Sequence, residues 1–226
     1  MEEDAEWRES SRLIRLGLPR QEALNVLCLG AHSDDIEIGC GGTLLSLKST
    51  LPGVRFHWVV LSACGVRGQE AARAADLFTA GCEKEVIFGQ FRDGFLPYAG
   101  WEVKEFFEKL KARVDPDLIF TSWRGDAHQD HRLVSELTWN TFRDHFVLEY
   151  EIPKFDGDLG QPGVFVPLEA SEVESKITLL FQVFQSQVSK RWFDRETFLG
   201  MMRVRGMECN SASGYAEAFH CRKVVL

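Results

Sequence analysis

The chain has 226 residues, 45% of them hydrophobic, which is enough to bury one core and close to the upper comfortable size for a single domain. Asp and Glu outnumber Lys and Arg 34 to 26, and that acidic surplus opposes the broad positive surface needed to neutralise phosphates, so nucleic acid is not an expected partner. The opening Met1-Glu2-Glu3-Asp4 lacks the basic start and apolar run of a secretory signal, and no stretch approaches the roughly 20 apolar residues of a membrane span; a soluble, cytoplasmic protein is expected.

Residues 1–23 set Trp7, Leu13, Ile14 and Leu16 among charges, which reads as a leading helix lying against the body. Asn25 to Gly30 is a short apolar run without alternation, as in a strand covered on both faces. Gly39-Cys40-Gly41-Gly42-Thr43 then leads into a helix over Leu44 to Lys48, glycine permitting a tight turn and close helix–sheet packing. Arg55 to Ser62 reads as a second strand, Gln69 to Thr79 as a helix and Glu85 to Phe88 as a third strand. Trp101 to Val114 carries Val103, Phe106, Phe107 and Leu110 at helical spacing, and Asp115-Pro116-Asp117 ends it, because proline disfavours helical geometry in the residue before it. Leu118 to Trp123 is a fourth strand, and a helix beginning near Asp130 continues through Leu133 to Phe142. Strands alternating with helices in this way imply parallel strands joined by right-handed crossovers: an α/β fold, a Rossmann-like three-layer sandwich with a mostly parallel sheet.

Beyond Asp144 the alternation decays. Phe146 to Ile152 is strand-like, Pro153 to Gly163 is a Gly-, Pro- and Asp-rich loop and a candidate lid, residues 169–190 read as a long helix, Glu196 to Met202 as another, and Ala216 to Leu226 as a closing strand. One domain over 1–226 follows, without internal repeats. The six cysteines, Cys28, Cys40, Cys64, Cys82, Cys209 and Cys221, are scattered without a C-x-x-C pair and read as reduced, small core residues.

Ligands of open α/β sheets bind outside the carboxyl ends of the strands. Directly after the first strand comes Ala31-His32-Ser33-Asp34-Asp35, and directly after the fourth comes Asp126-Ala127-His128-Gln129-Asp130-His131. Both clusters are expected at one edge of the sheet, and imidazole with carboxylate is a common ligand set for catalytic Zn²⁺. A single such cluster would read as a solvated polar turn; two at one edge point to a metal site. His57, His145 and His220 fall in or at the start of predicted strands and read as structural.

These motifs resemble the LmbE-like or PIG-L-like zinc-dependent de-N-acetylases. Members carry A-H-P-D-D followed by a Gly-Gly pair, matched here by Ala31 to Asp35 and Gly41-Gly42-Thr43, and H-P-D-H after a later strand, matched by His128-Gln129-Asp130-His131. The resemblance implies that His32, Asp35 and His131 bind zinc, with Asp34 the general base towards the attacking water. It implies that His128 faces the substrate amide, to stabilise the oxyanion or protonate the leaving amine, with Asp130 orienting it. The R-x-x-E-x-x-x-A-A run through Arg67, Glu70, Ala74 and Ala75, and Phe91-Arg92-Asp93-Gly94, also resemble family segments, which makes Arg67 and Asp93 candidate substrate contacts. For Arg67 a surface pair with Glu70 is the equal alternative, and for Asp93 an Asp-Gly turn. Arg205-Gly206-Met207-Glu208, Asn210 and Tyr215 to Phe219 look like family sequence too, with Glu217 lining the pocket or capping structure.

The chemistry fits independently of the resemblance. Three protein ligands leave a fourth position for water, whose pKa a bound Zn²⁺ lowers to about 7. Ser33 and Gln129 replace prolines of the two motifs, and Ile36 stands where an acidic residue often follows Asp-Asp; none is a ligand. The expected function is removal of acetate from an N-acetylglucosamine-type amino-sugar, with a zinc-dependent hydratase or lyase of a small unsaturated acid as the alternative. A sugar- or nucleotide-binding domain without catalysis is disfavoured, because Gly39 to Gly42 does not form G-x-G-x-x-G. A His-Asp-His site also accepts other divalent transition metals. The expected partner is a small-molecule amino-sugar, and homo-oligomer formation stays open.

Overall fold

The computed structural model describes Gly17 and residues 23–225, so the leading helix expected over 1–23 lies almost entirely outside the described residues. Seven strands form one sheet: β1 (Asn25–His32), β2 (Arg55–Ser62), β3 (Glu83–Phe88), β4 (Leu118–Ser122), β5 (Phe146–Tyr150), β6 (Val164–Pro167) and β7 (Ala216–Cys221). Their order is β3-β2-β1-β4-β5-β7-β6. The first five strands are parallel and β7 is antiparallel to both β5 and β6, which bears out the α/β class with a mostly parallel sheet.

The apolar run of β1 shows why the layers form. Val26 and Cys28 join a core with α1 (Asp35–Thr50), α2 (Gly65–Phe78), α5 (Ala170–Val183) and α6 (Arg195–Glu208), where Trp58, Phe78, Tyr150, Phe184 and Phe219 are buried. Leu27 and Leu29 point the other way, into a core with α3 (Gly100–Lys111) and α4 (Gln129–Thr141) built on Val103, Phe107, Val134 and Phe142. A strand with period-two side chains and two covered faces must be apolar throughout.

Several boundaries differ from the sequence expectation, each for a tertiary reason. Helix α1 begins at Asp35 and runs through the glycines, instead of starting after them at Leu44. The glycines serve close packing: a Cβ at Gly39 would lie 2.2 Å from the Tyr150 ring, and one at Gly41 2.7 Å from Phe78. The helix expected over 169–190 ends at Val183, because fully buried Phe184 turns into the core against Phe193 and Glu70 captures the backbone and hydroxyl of Ser186 at 2.8 and 2.6 Å. Helix α6 runs to Glu208 instead of stopping at Met202, and Asp194 caps its start by accepting the Thr197 N–H. The closing strand stops at Cys221 and the fifth at Tyr150, and β6 is a strand that the sequence pattern does not reveal.

The chain runs outward from β1 through β2 to β3, then returns to lay β4 and β5 on the other side of β1. That reversal separates the loops leaving β1 and β4, and in such sheets the resulting crevice is where ligands sit.

Candidate active site

Both predicted clusters occupy that crevice. β1 ends at His32, Ser33-Asp34 turns the chain, and α1 starts at Asp35, whose Oδ2 accepts the backbone N–H of His32 at 2.8 Å. Acidic Asp35 in the first turn also suits the positive end of the helix dipole. On the other side, His128 is the N-cap of α4: its Nδ1 accepts the Asp130 N–H at 3.2 Å, and His131 follows one turn later. An imidazole whose Nδ1 accepts carries its neutral-form proton on Nε2.

His32, Asp35 and His131 converge. His32 Nδ1 is 3.1 Å from His131 Nε2 and 3.5 Å from Asp35 Oδ2, and His131 Nε2 is 3.4 Å from Asp35 Oδ1. A tetrahedral ion with bonds of about 2.0–2.1 Å spaces its ligands about 3.3 Å apart, close to each of these separations, the Asp35 carboxylate turning Oδ2 to His32 and Oδ1 to His131. Proximity alone also groups His32, His128 and His131, and His32, Asp93 and Asp130, each with donor atoms within 4.8 Å of one another. Asp35 is the better third donor on charge: it is a buried carboxylate facing both imidazoles, whereas His128 is less buried and its Nδ1 serves as a helix cap.

The surrounding charges favour a cation. Burial works against charge on His32, but Asp35 and hydrogen bonds to Asp130, Asp35 and Asp93 outweigh it and hold the imidazole well above its ordinary pKa. His131 is likewise opposed by burial, yet raised to about 9 by Asp35 and Asp126. Burial would raise the Asp35 carboxyl, and the two imidazoles hold it well below the usual range instead. The site therefore gathers protons where a metal ion could supply the positive charge. Fully buried Glu37 is pushed the other way, well above the carboxylate range, by burial and by the like charge of Asp34 and Asp35. His128 is held below the ordinary imidazole pKa by burial and by His32 and His131.

Asp130 differs in detail from the expectation. Its carboxylate does not reach His128; Oδ2 lies 3.2 Å from His32 Nε2 and accepts the Gly94 N–H at 2.8 Å, while Oδ1 accepts the Leu96 N–H at 3.2 Å. Only its backbone N–H holds His128. Asp93, largely exposed, also places Oδ1 3.2 Å from His32 Nε2. Arg67, half-buried, pairs with Asp34 and not with Glu70: its two terminal nitrogens grip Asp34 Oδ1 and Oδ2 at 2.6 and 3.4 Å.

Two partners of the candidate site residues escape the sequence reading. Asp126 reads there only as part of the second cluster, yet its Oδ2 lies 2.8 Å from His131 Nδ1. Lys154 donates to that same oxygen at 2.9 Å and to Asp158 Oδ2 at 2.5 Å, which ties the 153–163 loop to the site. An Asp five residues before a candidate ligand His is the available signal for the first; nothing local marks the second. The six cysteines are unpaired, Cys64 exposed and the other five at least partly buried. His57 pairs with Glu85 at 3.1 Å and His220 stacks on Trp123, both away from the triangle.

Comparison with known proteins gives the fold a setting. No curated protein matches the chain. Among solved structures, it is similar to an N,N'-diacetylchitobiose deacetylase from Pyrococcus horikoshii at 22% identity, covering 97% of this chain and 92% of that one with a TM-score of 0.69. It is similar to a conserved protein from Thermus thermophilus at 21% identity, with 90% and 96% covered and a TM-score of 0.70. It also resembles GalB, the 4-carboxy-2-hydroxymuconate hydratase from Pseudomonas putida, at 17% identity, with 90% and 98% covered and a TM-score of 0.66. A family model described as PIG-L, GlcNAc-PI de-N-acetylase, matches residues 27–142, a segment running from β1 through α4 that contains both clusters. With more than half of its length so matched, the chain belongs to the PIG-L family.

Proposed function

We propose that this protein is a cytoplasmic, metal-dependent N-deacetylase that releases acetate from an N-acetylglucosamine-type amino-sugar, with the whole chain, 1–226, forming one domain. The observation that carries this reading is the donor triangle of His32, Asp35 and His131, 3.1 to 3.5 Å on a side, with Asp34 adjacent in sequence and His128 across the crevice. Zn²⁺ is the favoured ion; held there it would acidify a water molecule and polarise the amide carbonyl.

The chain's own residues supply the remaining chemistry. Asp34 accepts the proton of the attacking water, and the Arg67 fork fixes its carboxylate while leaving acceptor sites on both oxygens. His128, with its proton on Nε2, donates a hydrogen bond to the developing negative oxygen, and the proton that Asp34 took from the water passes to the departing amine. Asp130 aligns His32 from behind and Asp126 aligns His131, the arrangement in which a carboxylate fixes the tautomer of a metal-binding imidazole. Asp93 accepts from sugar hydroxyls at the mouth, and Arg67 borders the same space. Unpaired cysteines accord with a reducing compartment, and no helix among the described residues is long and apolar enough to cross a membrane.

A second reading, hydration of a small unsaturated acid, draws on the likeness to the hydratase. Against it, a substrate carboxylate would have to compete with Asp34 for Arg67, whereas a neutral amide need not. Acetate release from N-acetylglucosamine glycosides and chitooligosaccharides by metal-loaded protein is the expected result. Hydration of 4-carboxy-2-hydroxymuconate without any acetate release would replace the deacetylase reading by the second one.

A further inference from the structure

Lys176 on α5 and Glu217 on β7 are 2% and 3% exposed and meet at 2.6 Å, outside the donor triangle. Lys176 Nζ also donates to the Ile38 carbonyl at 2.6 Å, and the two Glu217 oxygens accept the N–H groups of Gly42 and Thr43 at 2.8 and 2.7 Å. In an α-helix the Gly42 N–H belongs to the Ile38 carbonyl. The ion pair therefore brackets one rung of α1, donating to its acceptor and accepting from its donor. Glycine makes the approach feasible, since a Cβ at Gly42 would lie 2.5 Å from Leu168 and 3.0 Å from Glu217 Oε1.

Interior helical groups have partners of their own, and taking two charges out of water is costly, so a hydrophobic core would have been the simpler solution here. The bracket stands one turn beyond the metal-site residues. Ile38 donates its N–H to the Asp34 carbonyl at 3.1 Å and offers its own carbonyl to Lys176. A continuous chain thus runs from Asp34 through Ile38 to Lys176 and Glu217, and back into α1 at Gly42 and Thr43. The first turn of α1, with Asp34 and Asp35, is held by this chain from the next turn of the helix.

We propose that Lys176 and Glu217 are positioning residues for the metal-site turn: the pair sets the direction of the first turn of α1, and through it the placement of Asp35 against His32 and His131. The inference rests on the reading of Asp35 as a ligand. It requires metal affinity to depend on the bracket itself and not on overall stability. Lys176→Met and Glu217→Gln should each weaken Zn²⁺ binding about tenfold or more, the range seen when outer partners of metal ligands are removed, and each should lower Tm by leaving a buried charge unpaired.

The double variant Lys176→Met/Glu217→Gln separates the two effects, because it leaves no unpaired charge and still lacks the bracket. Zn²⁺ affinity by chelator competition and Tm of the metal-free protein would be measured for wild type, both single variants, the double variant, and Val173→Ala as a destabilised control in α5. The expected result is a double variant with Tm above both singles and affinity still about tenfold down, beside a control with lowered Tm and wild-type affinity. Affinity that tracks Tm across all five proteins would overturn the proposal and make the pair merely structural. Asp35→Asn keeps the underlying reading separate: wild-type affinity in that variant would reject Asp35 as a ligand whatever the pair does.

Discussion

The segment from β1 to α4 and the segment from β5 onward contribute to the site in different ways. The first supplies the groups proposed to react or bind metal: His32 at the end of β1, and Asp34, Asp35, Asp93, His128 and His131 in loops or first turns at the same sheet edge. The second supplies buried or half-buried charges that steady them: Lys154 on Asp126, Lys176 and Glu217 on α1, and Glu151, which holds Gly160 at 2.6 Å and Arg205 at 2.6 Å at the foot of the 153–163 loop. Reacting groups need an open crevice and strand-end geometry, which parallel β-α units provide. Steadying charges need burial and a partner, which β7, α5 and α6 provide by packing across the sheet. The first segment should therefore govern whether the site works at all, and the second how well it is held.

The largest expected effect lies in the first segment. His131→Ala removes one corner of the donor triangle and should abolish tight metal binding together with acetate release, read as zinc stoichiometry after gel filtration. Retained stoichiometric zinc would reject the ligand set. Asp34→Asn comes next: it should keep zinc and lower kcat by roughly 100-fold or more, the scale of a lost general base. Because Arg67 grips both Asp34 oxygens, the amide also loses one half of that fork, so a rise in KM alone would instead assign Asp34 to positioning.

The same division explains what is legible in the sequence. β2 is found at its full length, Arg55 to Ser62, and the two clusters fall at one edge, because strand periodicity and the residues just after a strand are local properties. The start of α1 is misplaced because the reasons for its glycines, Tyr150, Phe78, Leu168 and Glu217, lie 37 to 175 residues away along the chain. Lys154 carries no local sign of function, and it reaches Asp126 only because the 153–163 loop folds back over the end of β4. Asp130 lies in the crevice with the rest of its motif, but which imidazole its carboxylate serves depends on the Phe91-to-Leu96 loop, whose amides take the rest of that carboxylate.

Across the boundary between the segments, Asp126 and Lys154 offer a graded test. Asp126→Asn should weaken Zn²⁺ binding by about 10- to 100-fold by unfixing His131, whereas Lys154→Met should cost less, since it leaves the His131–Asp126 contact in place. Chelator competition on both variants would decide it. A larger loss in Lys154→Met than in Asp126→Asn would mean that the loop anchor, and not the imidazole's orientation, is what the site needs.

The smallest expected effect is on the metal-free protein, and its sign can be worked out from His131. Burial opposes its charge, but Asp35 and Asp126 raise its folded pKa to about 9, above an unfolded value of about 6.5. A raised pKa means that the folded state binds the extra proton more tightly, so this contribution is complete below about pH 6.5 and lost as pH rises through about 9. The Tm of metal-free wild type should fall by a few degrees across that window, and His131→Gln, which has no such proton to lose, should fall less. Zinc should remove the difference by taking the proton's place on Nε2 beside Asp35, so its affinity should climb with pH over the same range. If metal-free wild type and His131→Gln declined in parallel, His131 would not be the group that holds the proton, and the opposed charges of Asp35 and Asp126 would have to be balanced on His32 or Lys154 instead.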